Sequence, residues 1–112
     1  MHHVTRYDAA DLEVPWQFAD RSRGYRRVAH VDRAAGAVHT AMGTSVLDAG
    51  GSIDWHVHSF EELVYVVEGR AVLVLDGQPV ELGPDDCAFI GVGAPHAWSN
   101  RGDEPCRWID LL

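Results

Sequence analysis

The sequence predicts an all-β domain. Three observations carry that prediction. From about residue 37, short runs rich in Val, Leu, Ile and aromatic residues recur at roughly 8–12-residue spacing. Gly, Pro, Asp and Asn separate them. No long helical periodicity and no strand–helix alternation appears, so the runs suit a sandwich or barrel.

Taken in order, residues 1–36 are weakly patterned and are expected to form an irregular N-terminal arm, able to pair with the barrel or with a second subunit. Within it, "DAADLEV" suits a short helical turn that Pro15 ends. "WQFADRSRGYRR" reads as irregular chain or an edge strand. Residues 37–112 are expected to form the barrel, with strands at 37–47, 52–58, 62–69, 70–77, 78–83, 87–92, 96–100 and 106–112. Gly50-Gly51, Gly69, Gly83-Pro84, Gly93 and Pro95 punctuate them. In "VLVLDGQPVEL", Asp76-Gly77 supplies a hairpin turn between apolar strands.

The bulk composition narrows the function. A chain of 112 residues fits one core, and 46% apolar content is too high for a disordered chain. A net charge of −8 argues against nonspecific binding to nucleic acid or anionic membranes, which reward clustered Lys and Arg. No apolar run approaches the ~20 residues of a membrane helix. The N-terminal residues lack a signal peptide's apolar centre. A soluble, cytoplasmic protein is the expectation. "RSRGYRR" reads as a solvated loop, or alternatively as a mouth attracting an anionic substrate. Two cysteines, Cys87 and Cys106, are too few for a disulfide framework, and both are expected as buried thiols.

The stretch "GSIDWHVHSFEELVYVVEG", residues 51–69, concentrates the chemistry. Alternation along a strand projects His56 and His58 from one face, together with Asp54, and leaves Trp55 and Val57 on the other. Three residues then turn the chain so that Glu62, opening the next strand, swings back towards both imidazoles. Val64 and Val66 share its face. A buried carboxylate needs a partner, and a divalent metal supplies one. Imidazole with carboxylate suits Fe, Mn, Ni, Co or Zn. His96, opening "HAWSN", is the candidate fourth ligand. A His-x-His pair by itself is more often surface or hydrogen-bonded core.

The full spacing is more specific. Gly50, five residues, His56, one, His58, three, Glu62, six, Gly69 resembles the first motif of the cupin superfamily. Residues 85–100, with Gly93, two residues, His96, three residues, Asn100, are similar to the second. Two positions depart from it: Asp85 stands for the usual glycine and Gly91 for the usual proline. The resemblance covers about residues 37–112. It implies a cupin-type double-stranded β-helix, or jelly-roll barrel, holding one divalent transition metal of unspecified identity through His56, His58, Glu62 and His96. Gly50, Gly69, Gly93 and Asn100 would then be turn residues. A six-coordinate metal on that set leaves two positions for water, dioxygen or substrate.

Trp98 shares a strand face with His96 and is a candidate substrate-binding wall. Met42 is a weaker one. Phe60 packs the corner after His58, and Trp108 reads as core or interface. Glu61 and Tyr65 are expected to face outward. His2, His3, His30 and His39 lie apart from the motif. No catalytic acid or base can be named beyond the ligands. The expected function is a metal-dependent enzyme on a small organic molecule, of dioxygenase, decarboxylase or isomerase type. The alternative is a noncatalytic small-molecule-binding module or one half of a two-barrel protein. A homodimer is expected; a nucleic-acid partner, a fused DNA-binding domain and a membrane partner are not.

Overall fold

The computed structural model describes residues 2–112. Eight antiparallel strands form one sheet rolled into a nearly closed barrel. They are β1 (Ser22–Val31), β2 (Met42–His56), β3 (Glu62–Glu68), β4 (Ala71–Leu75), β5 (Gln78–Leu82), β6 (Cys87–Ile90), β7 (His96–Ser99) and β8 (Cys106–Leu111). The order across the sheet is β5-β4-β7-β2-β8-β3-β6, with β1 added to β2. Among the described residues, helical structure is limited to three 3-10 turns, Ala9–Asp11, Trp16–Phe18 and Arg33–Ala35. No described helix is long and apolar enough to cross a membrane.

Alternation places the core. In β3, Glu62, Val64 and Val66 are buried while Leu63 and Tyr65 are exposed. In β8, Cys106, Trp108 and Asp110 are buried. The inward residues of the sheet meet around Trp98, Trp108, Leu47 and Ile53. The β4–β5 hairpin turns at Asp76-Gly77, both at positive φ (51° and 76°), as a two-residue primed turn requires.

The strand bounds differ from expectation in two places. Residues 37–47 and 52–58 are not separate strands; one strand starts at Met42 and runs to His56. Gly50-Gly51 bends β2 rather than ending it. Gly50 takes a φ of 76°, and a Cβ on Gly51 would sit 2.7 Å from the Arg23 carbonyl oxygen. The bend lets one strand serve two neighbours: Met42–Leu47 pair with β8, and Ser52, Ile53 and His56 pair with β7. His39, expected on a strand, is exposed in the loop before β2.

The N-terminal segment contributes β1, a ten-residue edge strand along β2, from Ser22 opposite Ile53 to Val31 opposite Met42. Upstream, Glu13 bridges to Arg27, and the Arg107 guanidinium lies over the Tyr7 ring at 4.9 Å. Cys106 is buried as expected, but Cys87 is exposed. Ala88 and Ile90 take the inner face of β6, which leaves Cys87 and Phe89 on the outer one.

Candidate metal centre

His56 ends β2, His58 follows in the loop, Glu62 opens β3 and His96 opens β7. Pairing sets His56 directly opposite His96, with ring centroids 4.1 Å apart. His58 lies 4.9 Å from His56 and 5.1 Å from His96 by the same measure. One ligand nitrogen from each of the three falls within 4.8 Å of the others, so the triad could hold a metal ion. Glu62 Oε1 lies 3.2 Å from His58 Nε2 and 3.7 Å from His96 Nε2. All four side chains expected from sequence therefore come together.

Their convergence has a cause that simple alternation misses. A bulge in β2 lies between Ile53, opposite Trp98, and His56, opposite His96. Three residues of β2 thus span two of β7. The extra residue turns His56 inward with Ile53 and leaves Asp54 and Trp55 exposed. Asp54 does not share the cavity face with His56, and His58 reaches the cluster from loop rather than strand. That loop is tied down: Gly93 N–H donates to the His58 carbonyl at 2.8 Å. Asp85, standing where the resembled motif has glycine, makes its turn at a φ of 71°, a conformation Asp tolerates better than most residues.

The protonation pattern follows from the hydrogen bonds. His56 Nδ1 is 2.7 Å from the Asp54 carbonyl and His96 Nδ1 is 2.9 Å from the Ala94 carbonyl. A carbonyl only accepts, so each Nδ1 carries the proton and each Nε2 keeps its lone pair. Burial pushes His56 down to about 4 and lowers His96 as well, favouring neutral imidazoles. His96 is fully buried and Glu62 is 7% exposed, yet His96 Nε2 and Glu62 Oε1 have no hydrogen-bond partner among the described residues. Buried polar atoms are rarely left so. A lone-pair nitrogen and a carboxylate oxygen facing one point fit a cation, and the N/O donor set suits a divalent transition metal.

The cluster opens onto a cavity of about 400 Å³. Trp98 lines it and also packs in the core, its ring 4.2 Å from Trp108 at 11°. Tyr25 extends the stack, 6.4 Å from Trp108 at 9°. Phe60 stacks on His58 at 4.7 Å, and Phe18 sets its edge against His56 at 4.8 Å; both line the cavity. Met42 does not line it: it sits at the start of β2 opposite Leu111, on the opposite parity to Ser45 and Leu47, which face inward. Arg27, Tyr25 and Asp110 also line the cavity. Tyr25 and Arg27 belong to "RSRGYRR", read above as a solvated loop or a substrate mouth; from Ser22 on it is strand β1, not loop. Nothing local pairs Arg27 with Asp110, 83 residues away.

The structure is thus an antiparallel barrel that gathers three imidazoles and a carboxylate, groups that could hold a metal ion, beside an aromatic-walled cavity. The chain belongs to the cupin family, whose domain model (Cupin domain) matches residues 43–112. A Streptomyces cyaneus protein named polyketide synthase CurC is 39% identical over 75 residues, 66% of this chain and 49% of that protein. The tetracenomycin polyketide synthase protein TcmJ of Streptomyces glaucescens is 32% identical over 90 residues, 80% of this chain and 60% of that one. The chain thus spans about half to three fifths of the length of these curated relatives. The polyketide cyclase RemF from Streptomyces resistomycificus superposes with a TM-score of 0.81 at 25% identity, covering 96% of this chain and 78% of that one. A Cupin 2 conserved barrel domain protein from Salinispora arenicola gives 0.79 at 21% identity, covering 99% and 87%, and shows the shared fold.

Proposed function

We propose that the chain is a metal-dependent cupin that promotes ring closure of a flat, oxygen-rich polyketide intermediate. The observation that carries this reading is the opening of the His56–His58–Glu62–His96 cluster onto a cavity walled by the stacked Trp98 and Trp108 rings. The three relatives named for polyketide synthesis or cyclisation support the substrate class. Of the reaction types expected from sequence, ring closure sits with the isomerases: in an intramolecular aldol addition an α C–H bond breaks, the new carbon–carbon bond forms as a carbonyl π bond opens, the proton ends on that oxygen, and no oxidant is needed.

The division of labour follows from the residues. His56, His58, Glu62 and His96 would hold the metal, whose contribution when bound is Lewis-acid polarisation of substrate oxygens. Trp98 and Trp108, stacked on one another, give the cavity an apolar aromatic wall for a planar or folding chain to pack against. Phe18 and Phe60 flank the imidazoles and limit water at the reacting end. A second copy of the chain is the proposed partner. Leu63, Phe89 and Leu111 pair in one row across β6, β3 and β8 and are all exposed on the outer face, which supports association there.

The test adds the purified, metal-loaded protein to a minimal polyketide synthase and resolves the products by mass spectrometry. A shift towards one cyclised product, lost in Glu62→Ala and His58→Ala, supports the reading. A product spectrum unchanged by the protein contradicts it, and unchanged products with tight ligand binding would favour the noncatalytic module.

A further inference from the structure

The cavity carries a second polar feature, on the wall built by β1, β2 and β8. Asp110 is 3% exposed and is gripped by Arg27: Nη2 donates to Oδ1 at 2.6 Å, and Nε donates to Oδ1 and Oδ2 at 3.1 and 3.3 Å. Ser45 Oγ donates to Asp110 Oδ2 at 2.8 Å. A serine hydroxyl has one hydrogen, and here the carboxylate takes it. The 3.1 Å contact between Tyr25 Oη and Ser45 Oγ therefore has Tyr25 as donor. The phenol hydrogen is committed to Ser45, and the Tyr25 oxygen is left as an acceptor.

Arg27 is left with the opposite character. Among the described residues its Nη1 makes no hydrogen bond, and Asp110 occupies only the Nε and Nη2 side. Asp110 balances its charge, so what remains is a donor edge rather than a bare cation. Tyr25 and Arg27 lie two residues apart on β1, and both line the cavity that holds the histidines. Burial holds Tyr25 above the usual phenol range, which keeps it neutral.

We infer that Tyr25 and Arg27 form a second anchoring site in the cavity, an acceptor beside a donor, that selects flat substrates carrying 1,3-related oxygens. The 1,3-dihydroxy arene derived from a β-diketone cannot bond its two oxygens to each other, so it offers one hydroxyl to donate and a second oxygen to accept. The pair matches that pattern. Asp110 and Ser45 are positioning residues: they fix the Arg27 plane and the direction of the Tyr25 hydrogen. The inference rests on the proposed function for its substrate class, but the binding it predicts needs no turnover.

The experiment is calorimetric titration of the metal-loaded protein with 1,3-dihydroxynaphthalene and with naphthalene. The 1,3-oxygens of the diol cannot chelate one metal. The wild-type protein is expected to prefer the diol by about tenfold or more, the size of one or two hydrogen bonds. Tyr25→Phe keeps the ring stacked on Trp108 and removes the acceptor, so the preference should fall to within about threefold at unchanged metal content. The double variant Arg27→Gln, Asp110→Asn removes both charges together and strands neither; it should lose the preference likewise. If the double variant does not fold, Tyr25→Phe decides alone. No preference in the wild type, or a preference that survives Tyr25→Phe, overturns the inference and sends the hydroxyl to the metal centre. A preference lost in the variants, together with a polyketide product spectrum that the wild-type protein does not change, would sink the proposed reaction and leave this site standing.

Discussion

Replacing Glu62 by Gln should have opposite effects with and without metal. Glu62 is buried, and its Oε1 has no hydrogen-bond partner beside His58 and His96. Without metal, a buried carboxylate is a cost that an amide of the same shape reduces. Melting in a chelator should therefore show the variant at least as stable as the wild type. With metal the order reverses. An ion present at a hundred times its dissociation constant stabilises the native state by about 2.7 kcal/mol. A hundredfold loss of affinity leaves about 0.4 kcal/mol of that, a difference of about 2.3 kcal/mol. For a chain of this size the difference corresponds to about 10 °C in melting temperature. Thermal melts by circular dichroism, run in chelator and in excess Zn or Ni, measure both arms. Equal destabilisation of the variant in both conditions would refute the reasoning, because Glu62 would then be a structural residue with no cation to serve.

Three further outcomes follow. Asn100 is 2% exposed; its Nδ2 donates to the Leu47 and Glu104 carbonyls at 3.0 and 2.8 Å, and its Oδ1 accepts from Gly102 N–H at 3.0 Å. Asn100→Ala should cost about 3 kcal/mol in denaturant unfolding, roughly 1 per bond, and a cost under about 1 would show that the turn holds without it. The metal-free protein should lose stability on acidification. The native state holds His56 down at about 4 against 6.5 when unfolded, so between those values the unfolded chain binds more protons. That contribution is full above about 6.5 and gone below about 4; metal-free stability that is flat or rising as pH falls through this window would contradict the buried neutral imidazole. A thiol reagent should label Cys87 in the native protein and spare Cys106, which is buried and pushed up to about 11; two labels per native chain would contradict the packing of β8.

The parts of this molecule legible in its sequence are those written in local chemistry. Asp76-Gly77 between apolar runs specified a hairpin because few residue pairs accept two positive φ angles. The inward face of β3 followed from period-two alternation of Glu62, Val64 and Val66. The gathering of the four ligand candidates was readable from their spacing, though for a partly wrong reason. Alternation alone would have carried Asp54 inward with His56, and a bulge that no residue type announces corrected it. Gly50-Gly51 looked like a chain break because the same residues that end strands also bend them. The joint role of Tyr25, Arg27 and Asp110 was illegible for a different reason, although "RSRGYRR" offered the first two within a loop or substrate mouth. Their meaning lies in pairings of β1 with β2 and of β2 with β8, and these long-range registers leave no trace in a window of neighbouring residues. Met42 failed as a wall residue on parity.

The central claim is that His56, His58, Glu62 and His96 share one cation. The most direct measurement is an anomalous difference map from crystals of the metal-loaded protein, collected above and below the absorption edge of the added metal. A single peak about 2.0–2.3 Å from the three Nε2 atoms and a Glu62 carboxylate oxygen is the predicted result. A map without a peak there, or with His96 turned out of reach of it, would contradict the account.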